Sequence, residues 1–184
     1  MVKLTTKRLI LRPLRISDAN DVVQNINNLE IVRWLGSVPY PYKKKDAIWF
    51  INDSKKKMKE KHKTHYQWGI ELKSEKKIIG GISLDRINLF SKKSHTGYWL
   101  GENYWRKGYG LEALRAVLKF AFNNLKLRKI ETGVFVGNPS SGKLLEKVGA
   151  KKEGILRKTI KVKADGQIYD EILYGLLKEE WKRW

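Results

Sequence analysis

The sequence predicts a protein of the α/β (α+β) class, with helices on both faces of a central, mixed but mainly antiparallel sheet of about seven strands. Three observations lead to this prediction. Short apolar or alternating segments typical of strands recur along the 184 residues. Segments with helical periodicity are interleaved with them. We find no internal repeat and no linker-like stretch, so residues 1–184 are expected to form a single domain.

The first third of the chain predicts one strand followed by helices. Arg8–Leu14 has the pattern of a strand that ends at Pro13. Ser17 is expected to cap a helix over Ala19–Asn27. A helical turn and a second long helix should follow, over Glu30–Leu35 and Lys44–Lys61.

The middle of the chain predicts three strands and then a helix. Hydrophobic alternation places the strands at Tyr66–Leu72, Ile78–Asp85 and His95–Leu100, with Asn88–Ser94 as a polar connection. Apolar residues at three- and four-residue steps then predict a helix over Leu111–Leu125.

The last third predicts a strand, a helix and a hairpin. The strand covers Lys129–Val136, and Asn138 is expected to cap a helix that ends at Gly149. Two strands, joined by an Asp-Gly turn, and a short helical tail should close the chain, over Lys152–Val162, Ile168–Leu177 and Lys178–Trp184.

Composition excludes several classes of function. The chain has no cysteine, which excludes disulfides, a thiol nucleophile and a thiolate zinc site. Its three histidines lack HxxxH spacing, so no metal is expected. No apolar run of about 18 residues is present, so we expect no membrane association. The N-terminal residues do not resemble a signal peptide, and a cytoplasmic protein is the simplest expectation.

The net charge of +20 suggests an anionic partner, such as nucleic acid, a ribosomal surface or a polyphosphate cofactor. The lysine runs are dispersed along the chain, which favours a solvated surface over a dedicated nucleic-acid groove. Contact with nucleic acid is therefore possible but not required by the sequence.

A glycine-rich loop joins the strand His95–Leu100 to the helix that follows. It reads Arg106-Lys107-Gly108-Tyr109-Gly110. Glycines allow close approach of a ligand to the backbone, and the first N–H groups of a helix can bind a phosphate. Alone, this spacing indicates a phosphate site or a purely structural turn about equally.

Further motifs accompany this loop: Asn138-x-x-Ser141 and the segments Thr6–Pro13, Gly97–Leu100, Gly108–Ala113 and Glu153–Arg157. With these motifs the chain resembles the GNAT superfamily of acetyl-CoA-dependent N-acetyltransferases, and more narrowly its RimJ/RimL branch. This branch acetylates N-terminal amines of ribosomal proteins. The resemblance covers nearly the whole chain.

The resemblance implies acetyl-CoA as co-substrate. Backbone N–H groups from Arg106 to Leu111 would cradle its pyrophosphate, and main-chain groups of Trp99 and Leu100 would hold its pantetheine arm. The Leu100 N–H would be the oxyanion donor. The implied cofactor-binding residues are Trp99, Leu100, Arg106, Lys107, Gly108, Tyr109, Gly110, Leu111, Asn138 and Lys147, with Lys143 as an alternative to Lys147 at the 3′-phosphate.

The resemblance implies several alternative catalytic groups. Ser141 matches the position of a hydroxyl near the sulfur and is a candidate acid, or else an ordinary residue of a helix N-terminus. His95 occupies a position where the branch often has an acidic base, and an imidazole is a competent base at neutral pH. Tyr174, Glu102 and a water relay are the further candidates for the base.

The acceptor implied by the resemblance is a protein or peptide N-terminal amine, possibly ribosomal, and the protein would be a monomer or homodimer. The alternatives are a polyamine or aminoglycoside acetyltransferase and a non-catalytic basic protein that binds nucleic acid or the ribosome. Acceptor specificity is expected to lie in Trp34–Tyr42, Lys44–Lys61 and the hairpin at Gly166.

Overall fold

Eight strands form one sheet in the computed structural model, which describes residues 2–60 and 64–182. The strands are β1 (Leu4–Thr5), β2 (Leu9–Arg12), β3 (Tyr66–Leu72), β4 (Lys77–Asn88), β5 (Lys93–Leu100), β6 (Lys129–Phe135), β7 (Lys151–Lys161) and β8 (Ile168–Leu177). Their spatial order is β1-β2-β3-β4-β5-β6-β8-β7, and within these described ranges only β5 and β6 pair in parallel. The mixed, mainly antiparallel sheet is thus confirmed, and β1 adds a short strand that the sequence pattern did not reveal.

Five α-helices accompany the sheet in the described part of the chain: α1 (Ala19–Ile26), α2 (Leu29–Val32), α3 (Lys44–Lys59), α4 (Tyr109–Lys119) and α5 (Pro139–Glu146). A π-helical turn, Phe120–Asn124, continues α4, so the predicted long helix is confirmed with a change of winding near its end. Lys61, the predicted end of α3, and the last two residues of the predicted tail lie outside the described residues. Within the described ranges, no helix combines the length and apolarity needed to cross a membrane.

Two hydrophobic clusters lie on opposite faces of the sheet. Side chains of α4 and α5, including Leu114, Val117 and Leu145, pack on one face. Side chains of α1, α2 and α3, including Val22 and Ile51, pack on the other. This arrangement confirms the prediction of helices on both faces, and it separates the side chains of alternate strand residues into two environments.

The start of α1 differs from the prediction. Ser17 does not cap the helix, because a 3₁₀ turn over Ile16–Asp18 precedes it. The Asp18 carboxylate instead accepts the Arg15 N–H at 2.6 Å and two hydrogen bonds from Arg12, at 2.7 and 2.9 Å. The Arg12 Nε also donates to Glu71 of β3 at 2.5 Å. One guanidinium therefore ties α1 to the neighbouring strands.

The predicted N-cap of α5 is confirmed, whereas the helix ends at Glu146 with Lys147 as its C-cap, before the predicted end at Gly149. The Asn138 side chain accepts the Ser141 N–H at 3.3 Å, and Pro139 occupies the first helical position. Gly149 follows the helix with φ of +101°, a conformation that only glycine adopts readily. These local signals fix the N-terminus of α5, and with it Ser141, next to the sheet.

Candidate active site

Strands β5 and β6 separate into a fork. They pair only from Lys93 to His95 on β5 and from Lys129 to Glu131 on β6. Beyond that point β5 continues with β4 and β6 continues with β8. The Thr132 hydroxyl donates to the Thr96 carbonyl at 2.8 Å and spans the gap where the strands part. The result is an opening in the middle of the sheet that widens toward the glycine-rich loop.

The β5 side of the fork presents unpaired main-chain groups. The Gly101 N–H donates to the Ile79 carbonyl of β4 at 2.9 Å, which sets the alternation along the strand. Trp99 therefore directs its N–H and C=O to β4, whereas Tyr98 and Leu100 direct theirs into the fork. The Leu100 carbonyl accepts the Trp105 indole N–H at 2.8 Å. The expected main-chain contact from Trp99 is thus corrected, because Tyr98 and Leu100 are the residues with groups on this edge.

The glycine-rich loop presents open N–H groups at the wide end of the fork. Gly108 is the N-cap of α4 with φ of +80°. The first bond within the helix runs from the Glu112 N–H to the Gly108 carbonyl at 3.1 Å. The N–H groups of Tyr109, Gly110 and Leu111 therefore have no carbonyl partner within the helix. Together with the positive end of the helix dipole, they form a cradle suited to a phosphate.

A clamp that sequence reasoning missed holds this cradle in place. The Glu112 carboxylate accepts the Thr6 hydroxyl at 2.6 Å, the Arg8 N–H at 2.8 Å and the Arg8 Nε at 2.7 Å. Burial alone would raise the pKa of Glu112, but these hydrogen bonds outweigh it and the pKa lies below its usual value. The Arg8 Nη1 also donates to the Lys107 carbonyl at 2.9 Å. Thr6 and Arg8 belong to a recognised motif, but sequence gave no indication of their partner.

Positive charge surrounds the cradle. Arg106 and Lys107 are exposed, and the Lys107 Nζ lies 5.9 Å from the centre of the Tyr104 ring. Lys143 of α5 and Lys147, the residue after this helix, are exposed. These side chains can add attraction for an anion without being fixed on one atom of it.

Two hydroxyl groups meet on the α4/α5 face of the fork. The Tyr98 hydroxyl lies 2.9 Å from the Ser141 Oγ, with either atom able to donate, and 3.2 Å from the Ser141 carbonyl. Burial raises the pKa of Tyr98 to about 12, against the lowering effect of the Ser141 hydrogen bond. Tyr98 therefore remains protonated at neutral pH. The pairing is new information, because Tyr98 was not a candidate from sequence.

Tyr174 and Glu102 are engaged elsewhere. Tyr174 is 3% exposed and donates to the Glu146 Oε1 at 3.1 Å. Burial, followed by this hydrogen bond, raises the pKa of Tyr174. A neutral phenol cannot take a proton from an amine, so the geometry favours a structural role under α5. The Glu102 carboxylate accepts the Asn28 amide at 2.6 Å.

His95 lies on the opposite face of the sheet from Ser141, at the last paired position before the fork opens. Its Nε2 is 3.3 Å from the Glu131 Oε2. Burial, and next the charge of Arg86, lower the pKa of His95 although Glu131 raises it. The imidazole is therefore neutral at neutral pH.

Glu171 is a second acidic group on this face, and it was not a candidate from sequence. It lies on β8, and its carboxylate occupies the space over Gly133 of β6. Gly133 and Gly97, on opposite sides of the fork, are both exposed. Only the pairing of β6 with β8 brings Glu171 to the fork, so no local pattern could have identified it.

An aromatic cluster borders this face. The ring of Tyr169 lies 5.7 Å from both Trp34 and Phe135, measured between centroids. The Lys163 N–H donates to the Gly36 carbonyl at 2.8 Å, which joins the loop after α2 to the β7–β8 hairpin. Two segments expected to govern acceptor specificity therefore meet beside the fork.

Comparison with known proteins adds independent information. A family model described as an acetyltransferase (GNAT) domain matches residues 8–151. The uncharacterised N-acetyltransferase p20 of Bacillus licheniformis is 31% identical over 183 residues, covering 98% of this chain and 99% of its own. The [ribosomal protein uS5]-alanine N-acetyltransferase of Escherichia coli (strain K12) is 27% identical over 187 residues, covering 98% and 93%. A crystal structure of a probable acetyltransferase is 26% identical with a TM-score of 0.83, covering 98% and 99%.

Proposed function

The chain belongs to the GNAT family of acetyltransferases, and on that premise we propose that it transfers the acetyl group of acetyl-CoA to the N-terminal α-amine of a protein. N-acetyltransferase activity is common to the family and the relatives above, and the RimJ/RimL-like branch is the one they support. The observation that carries the proposal is the fork, since its open β5 edge leads from the phosphate cradle to the Ser141 hydroxyl.

The described residues fit acetyl-CoA. When bound, it supplies an activated thioester. N–H groups of Tyr109, Gly110 and Leu111 would hold the pyrophosphate, and the Leu100 N–H would bond the pantetheine arm as an added strand. An arm that runs from the cradle into the fork passes Leu100 before Tyr98. We therefore assign the thioester carbonyl to the Tyr98 N–H, one step deeper than the donor inferred from sequence.

Ser141 is the proposed acid for the leaving thiolate. Its hydroxyl can donate to sulfur when the Tyr98 hydroxyl donates to the Ser141 Oγ, and the 2.9 Å distance allows this orientation. Replacing Ser141 by alanine is expected to lower kcat about a hundredfold, because acid catalysis typically contributes that much. Affinity for acetyl-CoA should be unchanged in calorimetry.

Ser140→Ala is the matched control for Ser141→Ala. Ser140 is the neighbouring hydroxyl of α5 and is exposed. Steady-state kinetics should leave Ser140→Ala close to the wild type. Equal kcat values for the two variants would show that water, and not Ser141, protonates the thiolate.

The charges around the fork favour a single amine over a polyamine. Of the carboxylates named on this face within the described chain, Glu131 is bound by Lys93 and Lys129, whereas Glu171 has no ion-pair partner. A polyamine would bring several ammonium groups to the fork. The net charge of +20 on the protein opposes the approach of such a polycation. The similarity to a uS5-alanine acetyltransferase also supports a protein acceptor.

The proposed function is tested by acetyl-CoA calorimetry followed by a thiol-release assay. The acceptors are peptides that begin with alanine, serine or methionine, and spermidine. We expect sub-millimolar acetyl-CoA binding and turnover of at least one peptide. Turnover of spermidine alone would assign a small-amine acetyltransferase. Absence of acetyl-CoA binding, with salt-dependent RNA binding, would assign a non-catalytic basic protein.

A further inference from the structure

Glu171 is an unpaired carboxylate in a chain with 39 lysine and arginine residues. Among the described residues, no hydrogen bond or ion pair reaches its oxygens. Its neighbours on the same sheet face differ. Glu131 forms an ion pair with Lys93 at 3.1 Å. Glu153 forms an ion pair with Lys129 at 2.8 Å. Glu153 lies over Gly175 in the same way as Glu171 lies over Gly133. An unpaired carboxylate is therefore available for a cation from solution.

The main chain beneath Glu171 offers a second acceptor. The Val136 N–H donates to the Asp170 carbonyl at 2.9 Å, which sets the alternation along β6. The N–H and C=O of Val134 are therefore directed toward β8, and those of Gly133 are directed into the fork. Beyond the last pair, His95 and Glu131, no β5 residue is paired with β6 in the described structure, so no ladder partner on β5 is assigned to this carbonyl.

We propose that the Glu171 carboxylate and the Gly133 carbonyl form the seat of the acceptor amine, and that Glu171 takes its proton. This inference rests on the proposed function and names the acceptor side of the same site. Phe135 and Tyr169, each two residues away on the same strand face, flank the seat. They provide an apolar wall for the side chain of an N-terminal residue.

The transfer balances with these groups. The ammonium donates one N–H to Glu171 and one to the Gly133 carbonyl. Glu171 accepts a proton, the nitrogen forms a C–N bond with the acyl carbon, and the C–S bond breaks. As the amide forms, the nitrogen releases its second proton to the Ser141 Oγ, which restores the hydroxyl that has protonated the thiolate. Glu171 then returns its proton to the solvent through the open fork.

The surroundings suit Glu171 to this role. Burial raises the pKa of Glu171 above its usual value, while Arg86 of β4 lowers it. The residues paired with Glu171 on the neighbouring strands are Phe135 of β6 and Leu156 of β7, and neither carries a charge. A raised pKa makes the carboxylate a stronger base than an ordinary glutamate.

Glu171→Gln tests the inference, with Glu153→Gln as the matched control. Two acceptors are compared. The first is the peptide of the acceptor panel with the highest turnover, and the second is the same peptide with an aminooxyacetyl N-terminus, whose amine is neutral at neutral pH. We expect Glu171→Gln to lower kcat/KM for the ordinary peptide about a hundredfold. The rise of kcat/KM with pH through the pKa of Glu171 should vanish. The aminooxy peptide should lose no more than about threefold, because it needs no base.

Acetyl-CoA affinity should stay unchanged in both variants, and Glu153→Gln should keep wild-type kinetics. Retained activity in Glu171→Gln, or an equal loss with both amines, would overturn the role as a base. If the pH dependence of kcat/KM is lost in His95→Gln and not in Glu171→Gln, the base is His95. A wild-type protein that acetylates no amine would reject the proposed function itself, which is a different result from a defect in the variant.

Discussion

Replacing Gly110 by aspartate is expected to lower the affinity for acetyl-CoA at least about a hundredfold while the fold remains intact. Gly110 is the second residue of α4, and its N–H belongs to the cradle. A carboxylate there would repel the pyrophosphate. It would also be favourable for the helix itself, since an acidic residue in the first turn complements the dipole. A Cβ at this position would lie 3.3 Å from the Leu100 Cδ1 and 3.6 Å from the Leu144 Cδ2, which requires only a small adjustment.

Gly110→Asn is the control for this substitution, because asparagine has the same size without the charge. Calorimetry should show a loss of affinity of about tenfold or less for asparagine. Thermal unfolding of both variants should stay within about 3 °C of the wild type. Equal affinities for the aspartate variant and the wild type would show that the phosphate does not bind at the start of α4.

Arg12→Met is expected to lower the free energy of unfolding by about 3–5 kcal/mol. The Arg12 side chain is 12% exposed, and its two carboxylate partners, Asp18 and Glu71, are 9% and 16% exposed. In the methionine variant, the carboxylates of Asp18 and Glu71 stay largely buried but lose the guanidinium that pairs with them. Urea unfolding at neutral pH measures the loss. The control is Lys57→Met, which breaks an exposed pair with Asp53 and should cost at most about 1 kcal/mol.

The deficit of Arg12→Met should depend on pH. Burial alone would raise the pKa of Asp18, but hydrogen bonds from Arg12 and then from the Arg15 N–H keep it below its usual value. A depressed pKa in the folded state contributes stability above the unfolded pKa, and this contribution is lost as pH falls through the folded pKa. The wild type and the variant should therefore converge in acid. A deficit that stays constant down to about pH 3 would show that lost packing, and not charge, causes it.

The cradle illustrates how far local sequence reaches into the site. Gly108, Gly110 and the Asn138 cap are short-range signals, because each describes a turn and the helix that follows it. The clamp of Glu112 on Thr6 and Arg8 joins residues about a hundred positions apart, as the hydrogen bonds show. No periodicity encodes such a contact. The sequence therefore predicts the glycine-rich backbone of the cradle but not the Glu112 hydrogen bonds that hold it in place.

The catalytic candidates show the same difference between what local sequence predicts and what only the packing of distant segments reveals. Ser141 was found through a motif, whereas its partner Tyr98 follows only from the packing of α5 against β5. His95 and Tyr174 were candidates by position. The structure places them on opposite faces of the sheet, and the Tyr174 hydroxyl is engaged by Glu146.

The sequence by itself determined the longer helices and strands, their order and the glycine-rich turn at the start of α4, because the buried face of each helix or strand is encoded in neighbouring residues. Only the tertiary structure decided where β5 and β6 part, that Tyr98 and not Trp99 faces the fork, and that Glu171 lies over Gly133. The physical reason is strand register. A shift of one residue exchanges the two faces of a strand and the direction of its hydrogen-bonding groups. Register is fixed by pairing between distant segments, which no local pattern contains.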